Sequence, residues 1–425
     1  MTTIHSPLRR AFVIFTIVLA GELIFSLPFH VVRFFRPTFL EVFNLTNTQL
    51  GDIFGLYGIL AMLVYFPGGP LADRFSARKL MMISLLLTAS GSLYFAQIPS
   101  ASSLGFLFAF WGVTTIFLFW AAMIKLTRIW GGAHAQGKAF AILDGGRGLV
   151  AAAAATGAVA ILTLFVPDGI DTDLASKRQG IQSVIYYYGA ITTFAAFIVF
   201  LVIPKESGVQ STDDDGEQSS IKHDFSIVLK RPVVWLQGMI VLTAYCGYKG
   251  LDYFGLYLTN VLDFGAVQSA QTVAYISYTR VFAALCAGFL ADKIGIGKTV
   301  LITFSALVVC YALFATSPVQ ALPQFLVLAN IIVTFVLVFA VRAIYFALLE
   351  ESKIADTRTG AAVGVISVVG YTPDIFLAPV AGRLIDANPG VVGFSHLFIM
   401  LGLFSAIGAI STYLLIRRVK ALRAA

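Results

Sequence analysis

Long apolar runs alternate with short polar turns over the whole chain, and each run reaches the roughly 20 residues that a membrane-spanning helix requires. They fall near 11–35, 48–70, 78–98, 103–129, 137–165, 181–203, 233–260, 266–291, 297–316, 321–350, 358–383 and 392–416. The pattern predicts an all-α membrane protein of twelve transmembrane helices, arranged as two pseudo-symmetric six-helix bundles over 1–203 and 232–425. Between them, 204–231 carries Ser211-Thr-Asp-Asp-Asp-Gly-Glu-Gln-Ser-Ser220, a polar and turn-rich stretch that reads as a solvated linker.

Counting basic residues orients the spans. With both termini in the cytoplasm, twenty Lys and Arg lie at cytoplasmic ends and loops. Only Arg36, Lys177, Arg178 and Arg383 lie outside. The composition agrees: 58% hydrophobic and 12% charged residues, with mean hydropathy +0.87, exclude an ordinary soluble domain. The net charge of +7 follows from this topology rule and does not point to nucleic acid. Cys246, Cys286 and Cys310 sit inside apolar runs without a paired spacing and read as packing residues. The run after Arg9 and Arg10 is long and has no small-residue cleavage site, so it is read as a retained first helix. Asn44-Leu-Thr46 has the form of a glycosylation sequon on an outer loop, close enough to the membrane to be read as chance.

One charged stretch, Gly69-Pro-Leu-Ala-Asp-Arg-Phe-Ser-Ala-Arg-Lys79, returns as Gly288-Phe-Leu-Ala-Asp-Lys-Ile-Gly-Ile-Gly-Lys298. Asp73 and Asp292 are 292 − 73 = 219 residues apart, about half the chain, as expected of two copies of one unit. The stretch resembles the signature loop of the major facilitator superfamily, with Ser76 where that family usually has Gly and Lys293 where the first copy has Arg74. The resemblance implies a secondary transporter that works by alternating access. Gly69, Asp73, Arg74, Arg78, Lys79, Asp292 and Lys293 would then form a conformational latch at the cytoplasmic helix ends.

Five basic residues remain inside the spans: Arg33, Arg147, Lys249, Arg280 and Arg342. A charge at bilayer depth costs a few kcal/mol or more unless it faces a cavity or a partner, so each is a functional candidate. The bland alternative is an ion pair that fixes helix packing. Arg33 and Lys249 are 249 − 33 = 216 residues apart, nearly the repeat spacing, and therefore hold corresponding positions on the first and seventh helices. Two such cations repel unless an anion joins them, and an oxyanion accepts several of their hydrogen bonds.

At these residues the chain also resembles the organophosphate:phosphate antiporters, including the glycerol-3-phosphate transporters. Val31-Val-Arg-Phe-Phe-Arg36 and Tyr245-Cys-Gly-Tyr-Lys-Gly-Leu-Asp-Tyr253 look like their first- and seventh-helix motifs. The resemblance implies that Arg33 and Lys249 hold the anion. Arg147, in Asp144-Gly-Gly-Arg-Gly148, stands where that family has a substrate-contacting histidine. Lys125 and Trp130 keep a similar spacing on the fourth helix. Tyr245, Tyr248 and Tyr253 cluster in sequence around Lys249 and join the binding candidates.

Acidic residues bear on coupling. Glu22 precedes Arg33 by eleven residues, about three helical turns, and has no local partner, so it is the preferred proton site. Asp144 with Arg147 and Lys249 with Asp252 have the i,i+3 spacing of local ion pairs. Asp374, beside Pro373, is a further buried carboxylate. Gly145, Gly146 and Gly148, with Gly364, Gly370 and Pro373, suit bending or closely packed helices.

No Walker loop, dinucleotide fingerprint or spaced His/Cys set is present, and His5, His30, His134, His223 and His396 are scattered, so no enzyme, metal or cofactor is expected. The expectation is a monomeric multi-pass transporter of a bacterial inner membrane. It would move a small organic anion, phosphorylated, sulfonated or carboxylated, with protons or a counter-anion. The alternatives are a nitrate/nitrite-type porter, a drug/proton antiporter and a transporter-like membrane sensor.

Overall fold

The computed structural model describes residues 7–132, 136–167, 172–204, 226–316, 323–351 and 359–424. Most of the expected linker, 204–231, lies outside them. The described residues are helical without strands. In chain order they form α1 (7–43), α2 (Asn47–Arg74), α3 (Ala77–Phe95), α4 (Ala101–Gly131), α5 (Gln136–Thr163) and α6 (Leu174–Val202). There follow α7 (232–262), α8 (Ala266–Ile294), α9 (Ile296–Thr316), α10 (Gln324–Ala347), α11 (359–387) and α12 (Val391–Ala424).

Among the described residues nine helices are long and apolar enough to cross a membrane, and α1, bent by 43°, adds a tenth if it is one span. The other two fall short for local reasons. A 3₁₀ turn at Leu251–Tyr253 divides α7, and α3 opens on Arg78-Lys79.

The chain packs as two compact units. One contains α1–α6 together with Asp252–Val281 and Ala378–Asp386. The other contains the first part of α7, Phe282–Leu377 and the C-terminal segment from Ala387. Thus α7, α8 and α11 each contribute to both.

The bend in α1 has a local cause. Pro28 has no N–H and its ring crowds the preceding turn, and the helix passes through a π-turn at Ser26–His30 before resuming at Val31. The span continues to Phe43, so Arg33 does not sit at its end as the shorter expected helix placed it.

Within the first unit, α2 is capped at its start. Thr46 accepts from Gln49 N at 3.1 Å while the Gln49 side chain accepts from Thr46 N at 3.0 Å. The sequon's threonine is therefore a helix cap. The Asp386 carboxylate accepts from Thr48 N at 2.7 Å and from Asn47 N at 3.3 Å, which places an anion on the positive end of the helix. Asp386→Ala is expected to cost about 0.5–2 kcal/mol, the usual value of such a cap, and Asp386→Asn less. Thermal unfolding of the purified variants checks the order.

The signature stretch is a helix end more than a loop. α2 continues through Pro67 and Pro70 to Arg74, and only Phe75 and Ser76 form the turn. Lys125 donates to Ala72 O at 2.8 Å, and Arg78 donates to Ile203 O at 3.2 Å, so basic side chains serve the carbonyl ends of α2 and α6. Asp73, Arg74, Asp292 and Lys293 are exposed and make no ion pair among the described residues. Cys246 and Cys310 are buried as expected of packing residues, but Cys286 lies on the surface.

Candidate functional site

In the first unit a charged cluster surrounds the break in α1. Glu22 lies in the last turn of the first α-helical segment and is 2% exposed. Arg147 Nε of α5 donates to its Oε2 at 2.9 Å, and His30 Nε2 lies 3.1 Å from its Oε1. In an unbroken α-helix a residue eight positions on is rotated by about 80°. The π-turn holds more residues per turn and brings His30 back over Glu22. The Arg147 guanidinium also lies 5.4 Å from the Phe25 ring centroid and 5.9 Å from that of Trp120.

One turn before Arg147, Asp144 receives Arg280 Nη2 from α8 at 2.8 Å. Gly148 makes this reach possible, because a Cβ there would overlap the aliphatic stem of Arg280. Farther along α1, Arg33 Nε donates to Asp252 Oδ1, which the 3₁₀ turn of α7 presents. The Glu22–Arg147 and Arg33–Asp252 pairs are buried, while the Asp144 side chain is 37% exposed. Two ions removed from water need such mutual compensation, and taking away one partner typically costs about 3–5 kcal/mol.

The second unit holds a separate cluster. Lys249 Nζ lies 3.1 Å from Asp374 Oδ1. The Tyr245 hydroxyl donates to the same carboxylate at 3.1 and 3.0 Å. Tyr245 stacks on Tyr248 at 5.9 Å and meets Tyr371 edge-on at 5.0 Å. The Arg342 guanidinium from α10 lies 3.6 Å from the Tyr248 ring centroid. Asp374 sits in the first turn of the helical segment begun by Pro373, so two residues of α7 aim N–H and O–H donors at one oxyanion that α11 supplies.

Several expectations change at this point. The local pairs Asp144–Arg147 and Lys249–Asp252 do not form. Arg147 pairs instead with Glu22, Asp144 with Arg280, Arg33 with Asp252 and Lys249 with Asp374. The i,i+3 argument considered one helix, and each charge found a better partner on another. Glu22 is likewise not alone. Tyr253 joins neither cluster: its hydroxyl donates to Ala378 O at 3.4 Å and its ring lies under Arg36 at 4.1 Å. His30 and Tyr371 were not among the expected site residues, and Arg342 was a candidate without an assigned role. The signal for His30 was Pro28 two residues earlier.

The Tyr245 hydroxyl contributes one hydrogen bond to a charged acceptor, worth about 1.5–3 kcal/mol. Tyr245→Phe should therefore preserve the Lys249–Asp374 pair and weaken any ligand at that carboxylate position by roughly tenfold to a hundredfold. Titration of a stabilising anion against both proteins checks this.

Residues 18–376 match the sequence profile of the Major Facilitator Superfamily. The chain belongs to this superfamily. It is 27% identical over 416 residues to the inner membrane protein YihN of Escherichia coli K12, covering 97% of this chain and 96% of that one. Among solved structures it is similar to a bacterial homologue of the human lysosomal transporter Spinster, with TM-score 0.74, 14% identity and 97% and 98% of the two chains covered. It is also similar to a variant of the nucleoside transporter NupG, with TM-score 0.73, 12% identity and 96% and 99% covered. At these identities the two structures share the superfamily's fold with this chain. The protein is thus a multi-pass secondary transporter of a bacterial inner membrane and not an enzyme.

Proposed function

We propose that this superfamily member moves a small organic anion, a phosphorylated, sulfonated or carboxylated metabolite, by alternating access between its two six-helix halves. The observation that carries the reading is the convergence of Lys249 and Tyr245 on Asp374. A charged and a neutral donor are already arranged around a carboxylate, and the protein's own side chain occupies the position that a substrate oxyanion would take. Charge-assisted bonds of this kind are the stronger class, and a lysine accepts carboxylate, sulfonate or phosphate without demanding a bidentate geometry. The seventh-helix likeness to the organophosphate:phosphate antiporters supports the same role for Lys249, and pseudo-symmetry extends it to Arg33.

Coupling follows from displacement. A substrate oxyanion that takes Lys249 releases Asp374, and one that takes Arg147 releases Glu22 to His30. A buried carboxylate deprived of its cation binds a proton or must regain a cation. Proton symport uses the first outcome and anion exchange the second. A thermal-shift screen of phosphorylated, sulfonated and carboxylated metabolites, with nitrate as the inorganic comparison, tests the reading. Stabilisation by one organic class, followed by its uptake into proteoliposomes, supports it. Stabilisation by nitrate alone would favour the inorganic porter, and binding without flux a sensor.

A further inference from the structure

Away from both charged clusters, the second unit contains a groove of about 780 Å³ where the start of α7 meets the last turns of α12. Its walls are of two kinds. Leu229, Trp235, Leu236, Met239 and Leu414 are apolar, and Lys230, Arg417 and Arg418 are basic; among the described residues no acidic side chain lines it. Trp235 is about half exposed and its Nε1 donates to Leu229 O at 2.8 Å, which fixes the indole along the wall. The three cations stand at helix ends that the basic-residue count places on the cytoplasmic side.

We infer that this groove binds an anionic phospholipid of the cytoplasmic leaflet. The cations take the phosphate headgroup, and the leucines, methionine and Trp235 take the first part of an acyl chain. Each half of the lining needs the corresponding half of the ligand. A free phosphate leaves the apolar wall exposed, and a neutral lipid leaves three cations without a counter-charge. Amphipathic tryptophan at the water–hydrocarbon boundary and basic pockets beside cytoplasmic helix ends are the chemistry that recognises such lipids.

The test uses purified full-length protein in detergent and reads quenching of tryptophan emission by phosphatidylglycerol or phosphatidylcholine carrying brominated acyl chains. The difference between wild type and Trp235→Phe isolates the groove from the other tryptophans. Wild type is expected to prefer phosphatidylglycerol by roughly tenfold to a hundredfold. Lys230→Ala/Arg417→Ala/Arg418→Ala should remove the preference. If that variant does not fold, Arg417→Gln/Arg418→Gln should reduce the preference at least severalfold. Glycerol 3-phosphate, the headgroup without chains, should not displace the brominated lipid. Equal quenching by the two lipids, an unchanged preference in the variants, or displacement by glycerol 3-phosphate at equal concentration overturns the assignment.

Discussion

Lys249→Ala is expected to abolish anion-dependent thermal stabilisation and to reduce uptake into proteoliposomes to background. Truncating one member of a buried, hydrogen-bonded charge pair at a binding site costs about 2–5 kcal/mol, or roughly thirtyfold to several thousandfold in affinity. Asp374→Asn gives the informative contrast. It removes the internal competitor for Lys249 and keeps the shape of the site, so the anion should bind more tightly. If Asp374 also carries the coupled proton, uptake by this variant should no longer follow the pH gradient. Arg33→Ala should resemble Lys249→Ala. If both alanine variants bind the anion with wild-type affinity, neither cation holds it.

The second large effect concerns stability. Arg147→Ala leaves the Glu22 carboxylate buried with His30 as its remaining hydrogen-bond partner, and should cost about 3–5 kcal/mol in folding. Adding Glu22→Gln removes the uncompensated charge and should recover most of that loss, as thermal unfolding of the two proteins will show. A double variant as unstable as the single one would mean that Arg147 stabilises through its packing on Phe25 and Trp120 instead. Glu22→Gln alone also addresses coupling: the uptake rate should lose its pH dependence, and an unaltered profile eliminates Glu22 as the proton site.

The fold class was legible because it depends on a pattern that survives without neighbours: hydrophobic runs of spanning length need no partner to be recognised. The cations were legible as well, since any Lys or Arg inside an apolar span is conspicuous. Their partners were not. Glu22 and Arg147 are separated by 125 residues, Arg33 and Asp252 by 219. A pairing rule confined to one helix cannot find such contacts.

Backbone irregularity hid the remainder. The π-turn at Pro28 changes which face of α1 carries His30, and the 3₁₀ turn at Leu251 directs Asp252 and Tyr253 away from the face that a continuous α7 would give them. In α2 the reverse occurred: the span was expected to end near residue 70, yet the helix continues through Pro67 and Pro70 to Arg74.

In the proposed function, Lys249 and its carboxylate Asp374 form an oxyanion site that substrate and protein share. The most direct measurement is the affinity of one stabilising organic anion for wild type, Lys249→Ala and Asp374→Asn, purified in parallel. Loss of binding in the first variant together with tighter binding in the second is the predicted result. Wild-type affinity in Lys249→Ala, or weaker binding in Asp374→Asn, contradicts it.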